Sequence, residues 1–451
     1  MQERLTAQDA CAHIRGVCFK TGPPPALVGF ELEWVIHDLV DPLRSVDPAR
    51  IVRALEPLDG PGALPGGSAL SREPGGQVEL SSRPGTLGGC LDYLAADTAV
   101  LRTTLAEHGM TLAGWGLEPF RERERVLHLP RYDAMEAHFD RGGPWGRRMM
   151  RSTAGAQINL DAGQDAQDGT GSTGWRRRWQ LAHRLGPVLV AAFANSPLWL
   201  GKPTGWRSSR QAVWSRMDAS RTRPPEHAED PRTAWAHYAM DAAVLCIRRE
   251  DHGTWSAPAG LTLRSWLDGA PGLRPPTIED VDYHLTTLFP PVRPRGWLEL
   301  RMIDTQHGDE WVVPAAVATA LFDDPVAADV AWEATEPLCA EGPIASVELW
   351  ERAARHGLAA PDLAKAALTC FAAAESALAT RTGTLAAAVA PTASAATASP
   401  AATQSPDSVR RAVSAFTERY VARGRCPADD RLDALHGGAS SVPLALEEAW
   451  R

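Results

Sequence analysis

Gly29-Phe30-Glu31-Leu32-Glu33-Trp34-Val35-Ile36-His37-Asp38 is the stretch whose reading decides the fold. Apolar and polar residues alternate through its first half, the period of a β-strand with one buried and one polar face. Phe30, Leu32, Trp34 and Ile36 share one face; Glu31, Glu33 and His37 share the other. Same-face neighbours on a strand stand about 6.7 Å apart, so two carboxylates placed there repel unless positive charge lies beside them. Taken alone, this is the half-solvated face of an antiparallel strand. Three further segments change that reading. Gln77-Val78-Glu79-Leu80 sets Gln77 beside Glu79, and Gln157-Ile158-Asn159-Leu160-Asp161 sets two amides beside Asp161. Trp297-Leu298-Glu299-Leu300-Arg301-Met302 sets Glu299 beside Arg301. Gathered into one antiparallel sheet, these strands present a face of carboxylates, amides and an arginine. Hard oxygen donors of this kind suit Mg²⁺ and the phosphoryl groups it bridges.

The 451 residues suffice for one large domain or two, and an apolar share of 44% is ordinary for a globular protein. A net charge of −9 argues against broad nucleic-acid binding, although arginines cluster locally. No apolar run reaches the length of a membrane span, and the first residues lack the apolar core of a signal peptide. A cytoplasmic location is expected. The seven cysteines show neither a C-x-x-C pair nor a zinc spacing. Cys11 and Cys18, on one predicted helix, would stand about 10 Å apart, beyond disulfide reach. Most of the seven are read as small buried hydrophobes.

Around the acidic strand, Thr6 to Cys18 is a predicted helix with Thr6 and Asp9 as its capping pair. Pro23-Pro24-Pro25 stops it, and Asp47-Pro48 opens a short helix to about Leu55. Segments 69–73 and 77–82 flank Pro74-Gly75-Gly76, a hairpin signal. Leu87, Leu91, Leu94, Leu101 and Leu105 mark one face of a helix. Thr111 to Leu117 and Met149 to Asp161 are predicted strands, and a long helix runs from about Thr173 to Asn195. Gly201-Lys202-Pro203-Thr204-Gly205 is a loop without the spacing of a phosphate-cradling P-loop. Ala239 to Arg248 is strand-like, and Ile278 to Leu288 helical. From about Trp311 to Leu378 the chain is alanine-rich and helical, with no strand signal. Ser405-Pro406 caps a last helix to about Arg423, stopped by Gly424 and followed by a poorly ordered tail.

The chain resembles the plant-type glutamate–cysteine ligases, most closely the actinobacterial branch that feeds ergothioneine synthesis. Gly29-Phe30-Glu31-Leu32-Glu33, the segment Met149 to Asp161, and Ala194-Asn195-Ser196-Pro197 with Gly201 to Arg221 behind it carry the resemblance. His284-Leu285-Thr286-Thr287-Leu288-Phe289-Pro290 and Leu298-Glu299-Leu300-Arg301 complete it. It implies an α+β fold like the catalytic domain of glutamine synthetase, a curved antiparallel sheet forming a funnel with helices outside. It also implies ATP- and Mg²⁺-dependent joining of L-cysteine to the γ-carboxylate of L-glutamate, in a monomer or homodimer. Residues 1–310 would be the catalytic domain and 311–385 a helical extension of it. Residues 386–405 would be a flexible Ala/Ser/Thr/Pro linker and 406–451 a final helix and tail.

By the same resemblance Glu31, Glu33, Glu79 and Glu299 match the metal-holding strand carboxylates, and Arg301 matches the arginine at the transferring phosphate. Gln157 and Asn159 match the metal and nucleotide neighbourhood less closely, and Lys202 is a candidate for the nucleotide. Among Arg207, Arg210, Arg216 and Arg221, each alone a solvated basic residue, Arg210 is chosen with Trp214 for the glutamate α-carboxylate. His37 and His284 are read as structural. The tryptophans at 34, 115, 214 and 297 are read as lining or flooring the sheet. Two alternatives stay open. One keeps the fold and changes the substrates: another γ-glutamyl ligase, or a guanidine phosphotransferase. The other is a non-enzymatic, tryptophan-rich binder of cations or glycans, which has no use for Arg301 beside Glu299.

Overall fold

The sheet is built outward from the acidic stretch in the computed structural model, which describes residues 4–22, 27–165, 169–226, 230–250, 253–339, 342–388 and 405–437. The strands are β1 (Val28–Asp38), β2 (Ala69–Arg72), β3 (Val78–Ser81), β4 (Met110–Ala113), β5 (Gly155–Asp161), β6 (Leu198–Trp199), β7 (Lys202–Pro203), β8 (Val292–Pro294) and β9 (Trp297–Asp304). They pair antiparallel in the order β2-β3-β1-β5-β9-β8, a path whose two ends do not close on each other. β1 is long enough to take three neighbours, β3 along one edge and β5 then β4 in succession along the other. Glu31 to Trp34 pair with β3 and Val35 to Asp38 with β4. Val28 to Leu32 pair with β5 on the edge away from β3.

The alternation of β1 does what its period dictates: Phe30, Leu32 and Trp34 are buried in the main core, while Glu31 and Glu33 are only half-buried. Helix Leu87–Glu107 packs against β1, β3 and β4 through Leu91, Leu94, Leu101 and Leu105, all fully buried. Each such side chain contributes about 1.5–3 kcal/mol of burial. Helix Trp175–Phe193 packs on β9, and helix Val312–Asp323, apolar nearly all round, packs on β5. That is the composition of a helix enclosed on every side. The alanine-rich helices stack behind them, and among the described residues none is long and apolar enough to cross a membrane.

Local signals hold where local chemistry decides. Thr6 and Asp9 form a reciprocal capping box, and Asp47 caps a helix that begins at Pro48. The hairpin of β2 and β3 forms around Pro74-Gly75-Gly76. All seven cysteines are unbridged, and all but Cys11 are buried.

Four expectations are corrected. Met149 to Ser152 belong to helix Trp145–Ser152, and the strand starts only at Gly155. Arg147 and Arg151 of that helix pair with Glu136 in the preceding helix Pro130–Phe139, a contact no strand would allow. Ala239 to Asp241 end helix Pro231–Asp241, and the residues beyond make only single bridges, Ala243 to Thr262 and Cys246 to Ser256. The apolar run there has no neighbouring strand to pair with. The strand expected over Thr111 to Leu117 runs from Met110 to Ala113, with Leu117 bridging Thr153 alone. Past Gly424, whose φ of 63° stops the helix before it, the tail forms a further helix, Pro427–Gly437. Of the expected linker, residues 386–388 end helix Pro361–Ala388 and 389–404 lie outside the described residues, as do Pro23 to Pro25.

Candidate active site

The register of the sheet brings the polar residues of six strands into adjacent rows. Glu33 stands opposite Glu79, and Glu79 opposite Ser71. Glu31 lies between Ser81 and Gln157, and Glu299 between Asn159 and Arg293. Like charges directly opposite on neighbouring strands are destabilising, so the Glu33–Glu79 pair is a cost that packing alone does not explain. The hydrogen-bond partners of these carboxylates are neutral. Glu31 accepts from Asn159 Nδ2 at 3.1 Å, and Glu33 from the Gly155 amide at 2.7 Å and Gln157 Nε2 at 3.0 Å. Glu79 accepts from the hydroxyls of Ser81 at 2.8 Å and Ser71 at 3.3 Å.

Neutral donors do not balance the charge. Burial, then the neighbouring carboxylates Glu299 and Glu79, raise the pKa of Glu31. Burial raises Glu33 against the pull of Arg210 and Arg301. Burial and Glu33 push Glu79 up to about 7. A fourth carboxylate, Glu73, belongs with them: burial, Glu33 and Glu79 push it up to about 8. Glu73 was not singled out from the sequence because it ends one arm of the hairpin, where its amide bonds the Gln77 carbonyl. Its spacing before Pro74-Gly75-Gly76 was the available signal.

Glu299 is the opposite case. Arg293 holds both its oxygens, each at 2.8 Å, and Arg301 bonds Oε1 as well. Burial opposes ionisation there, but Arg293 and Arg301 together hold the carboxyl down to about 2. Arg293 is a second residue missed from the sequence; it lies on β8, whose turn into β9 carries Gly296 at φ 88°. Arg301 sits at a β-bulge, where Arg301 and Met302 face the single residue Gln157. A bulge re-aims a side chain, and Arg301 reaches Gln157 Oε1 across it.

The two amides act as connectors. Gln157 donates to Glu33 and accepts from Arg301; Asn159 donates to Glu31 and accepts from Trp297 Nε1 at 2.8 Å. Each spends both ends of its amide on the site, which fixes how it points. Arg210 stands behind Arg301. It is 2% exposed, and its Nη2 donates to the Arg301 carbonyl at 2.9 Å, while Nε and Nη1 are buried without a hydrogen-bond partner. A Cβ on Gly155 would meet Nη2 at 2.4 Å, so only glycine lets Arg210 lie against the start of β5.

Trp214 packs against Phe289 and lies near both arginines, beside a cavity of about 20 Å³, room for one water. The other tryptophans divide: Trp34 is in the core, Trp297 is on the carboxylate face, and Trp115 has left the sheet to pack against Phe120. Lys202 is not on the main sheet; it lies on the separate ribbon of β6 and β7. Arg207 pairs with Asp429, Arg221 with Asp218, and Arg216 stacks between Trp145 and Trp206, so none of the three joins the acidic face. His37 bonds Glu118 and His284 bonds the Ala239 carbonyl, both buried.

Among the described residues, no three carboxylate, histidine or cysteine side chains already converge tightly enough to enclose a metal ion. The donor chemistry nevertheless fits a hard dication. Glu31, Glu33, Glu73 and Glu79 are oxygen donors whose charge is unbalanced in this structure, and a cation is what would balance it.

The arrangement sets uncompensated carboxylates beside a compensated Glu299–Arg301 pair on one antiparallel face. A family model for glutamate–cysteine ligase family 2 matches residues 27–445, and the chain belongs to that family. It is 42% identical over 380 residues to glutamate–cysteine ligase EgtA of Mycolicibacterium smegmatis, covering 82% of this chain and 84% of that one. It is 39% identical over 447 residues to glutamate–cysteine ligase EgtA of Mycobacterium tuberculosis, covering 97% and 92%. The chloroplastic glutamate–cysteine ligase of Brassica juncea is 29% identical over 352 residues, covering 72% and 65%. A solved glutamate–cysteine ligase from Francisella tularensis in complex with AMP aligns over 96% of this chain and 98% of its own, at 11% identity and a TM-score of 0.40, a likeness too slight to argue from.

Proposed function

We propose that the chain joins the amine of L-cysteine to the γ-carboxylate of L-glutamate at the expense of ATP, with γ-glutamyl phosphate as the activated species. The observation that carries this is the acidic face: Glu33 opposite Glu79 with neutral partners, next to Arg301 on the same face. A carboxylate is a poor acyl donor because its leaving group is oxide. Transfer of the ATP γ-phosphoryl to it makes phosphate the leaving group, and the cysteine amine then attacks the acyl carbon with loss of phosphate. Mg²⁺, held by Glu31, Glu33 and Glu79 with Glu73 as a fourth candidate, would offset the charge of the phosphates.

Arg301 is assigned to the oxygens of the phosphoryl group in flight, where a planar guanidinium offers two parallel donors. Glu299, already bonded to Arg293 and Arg301, keeps Arg301 oriented and has lone pairs left for a cation. Gln157 and Asn159 hold Glu33 and Glu31 in place through their amide nitrogens. Arg210 is better suited to supporting β9 from behind than to meeting a substrate carboxylate, since Trp214 and Phe289 close that side. Lys202 is retained for the nucleotide on the resemblance alone. A soluble, cytoplasmic enzyme feeding a low-molecular-weight thiol such as ergothioneine completes the reading.

Release of ADP and phosphate tests it. With Mg²⁺ present, turnover is expected only when glutamate and an amine acceptor are both supplied, with cysteine the best acceptor. Equal ATP turnover without glutamate would remove the ligase reading; preference for another amine would leave the chemistry and change the product.

A further inference from the structure

The Ala194-Asn195-Ser196-Pro197 segment has no part in the chemistry above, yet it is wholly buried where the ends of β4 and β9 meet. Asn195 Nδ2 donates to the carbonyls of Gly114, just past β4, at 2.9 Å and of Thr305, just past β9, at 2.8 Å. Its backbone amide donates to Asp304 Oδ2 at 2.9 Å, which also accepts from Ser196 Oγ at 2.7 Å. Asp304 faces Arg210 Nη1 at 4.0 Å, and Arg210 bonds the Arg301 carbonyl. Thr305 Oγ1 donates to the Glu33 carbonyl at 2.7 Å. The backbone of Arg301 and that of Glu33 are therefore both tied to this one buried asparagine.

The remaining acceptor of Asn195, Oδ1, is met from outside the catalytic region. Arg431, on helix Pro427–Gly437, donates to it from Nε at 3.4 Å and to the Gly114 carbonyl from Nη2 at 3.2 Å. Its guanidinium lies 4.1 Å from the centre of the Trp115 ring, a cation–π contact. Two further contacts seat the same helix on the same segment. The Ala428 amide donates to the Ala194 carbonyl at 2.9 Å, and Asp429 pairs with Arg207 at 2.6 Å. Ala194, Cys426 and Ala428 form a small apolar cluster of their own between them.

We propose that Arg431 is a positioning residue of the active site: by closing the hydrogen bonding of Asn195 it holds the ends of β4 and β9 in the register that presents Glu33 and Arg301. The C-terminal helix is on this view part of the catalytic unit, although more than 120 residues of chain separate it from β9. The effect on turnover rests on the ligase reading; the effect on the strand ends does not.

Full-length Arg431→Ala and Arg431→Lys provide the test, each read in two ways. In Arg431→Ala, kcat is expected to fall about tenfold with KM for ATP and glutamate within about twofold of wild type, because ground-state contacts are untouched and the reacting geometry is loosened. Hydrogen exchange of amides in 297–306 is expected to quicken at least about tenfold, with those in 69–81 unchanged. Arg431→Lys keeps the charge over Trp115 without the planar fork and should fall between the two. Should the alanine variant not fold, the lysine variant carries both measurements. Exchange that quickens equally across the chain, or that stays at the wild-type rate at the end of β9, overturns the proposal, as does kcat within twofold of wild type. A wild-type enzyme without glutamate-dependent turnover overturns the ligase reading instead, and the exchange measurement then judges Arg431 alone.

Discussion

Glu33 and Glu79 face each other across β1 and β3, hydrogen-bonded to hydroxyls, a side-chain amide and a backbone N–H, with Arg210 and Arg301 as the opposing charges nearby. A site that binds a cation tolerates this repulsion, whereas a merely solvated strand face has no reason to keep it. Glu79→Gln retains a carbonyl oxygen for Ser71 and Ser81 and removes the like charge. At pH 8 without Mg²⁺ the variant is expected to be more stable than wild type by about 1 kcal/mol, and less active. Denaturant titration beside a rate measurement checks both; a loss of stability would mean the carboxylate is structural. Glu31→Gln should lower the rate in a way that raised Mg²⁺ partly restores, since a missing ligand weakens the ion's hold more than it disturbs the fold. Unchanged Mg²⁺ dependence would return Glu31 to a plain strand face. For the phosphoryl-transfer role proposed for Arg301, the planar fork is expected to matter more than the charge. Arg301→Lys is expected to lower kcat on the order of a hundredfold with a smaller change in the KM for glutamate, because the contact strengthens in the transition state. Positional isotope exchange in ATP with glutamate present and cysteine absent reads the step directly. Scrambling at the wild-type rate in the lysine variant would move Arg301 out of phosphoryl transfer.

The β8–β9 hairpin shows how an element can hold a charged group ready. Glu299 is fully buried, and Arg293, its cross-strand partner in register, takes both oxygens while Leu288 O accepts from the same guanidinium. Removing one member of a buried ion pair strands the other, which costs about 3–5 kcal/mol. Arg293→Ala is therefore expected to destabilise the protein by that order, and adding Glu299→Gln should recover part of the loss because the stranded charge is gone. Urea unfolding of the two single variants and the double variant measures the coupling. Strict additivity would mean that Arg293 and Glu299 do not stabilise each other and that the hairpin is held by its apolar face alone.

Across the whole molecule, buried groups away from the acidic face add acid sensitivity to that of Glu299. Glu118, fully buried between His37, Arg121 and Arg123, has its carboxyl held down to about 2: burial opposes this, and the His37 hydrogen bond and Arg123 outweigh it. A depressed carboxyl contributes stability that is complete above its unfolded value and is lost as pH falls through the folded one. For Glu118 that window runs from about 4.5 down to about 2. His284 acts at higher pH. Burial, and then Arg221, hold its imidazole down to about 4, so the unfolded chain takes up its proton first. Its contribution is complete above about 6.5 and is lost as pH falls towards 4. These two groups are thus expected to withdraw stability in two stages on acidification, against the gain from protonating Glu73 and Glu79, and His284→Gln should flatten the first stage without altering the second. Thermal unfolding from pH 7 to pH 3 checks this; an unchanged first stage in the variant would assign it to other groups.

The period of two in Phe30 to Trp34 determined by itself which side chains of β1 face the core, because alternation is a property of the strand and needs no partner. The Thr6–Asp9 and Asp47–Pro48 caps were equally legible, since each closes within a few residues. So was the helical character of the alanine-rich third. What lay beyond the sequence were pairings between distant segments. Met149 to Ser152 are helical, in a helix whose Arg147 and Arg151 both reach Glu136, and Ala239 to Arg248 ends a helix and then makes only single bridges. Glu31, Glu33, Glu79, Glu299 and Arg301 could be picked out by residue type and face. That Glu33 meets Glu79, that Glu73 joins them, and that Glu299 is already spoken for by Arg293 depends on strand register. Register is a long-range choice, made by the core as a whole, and the same local alternation would serve any even shift of it.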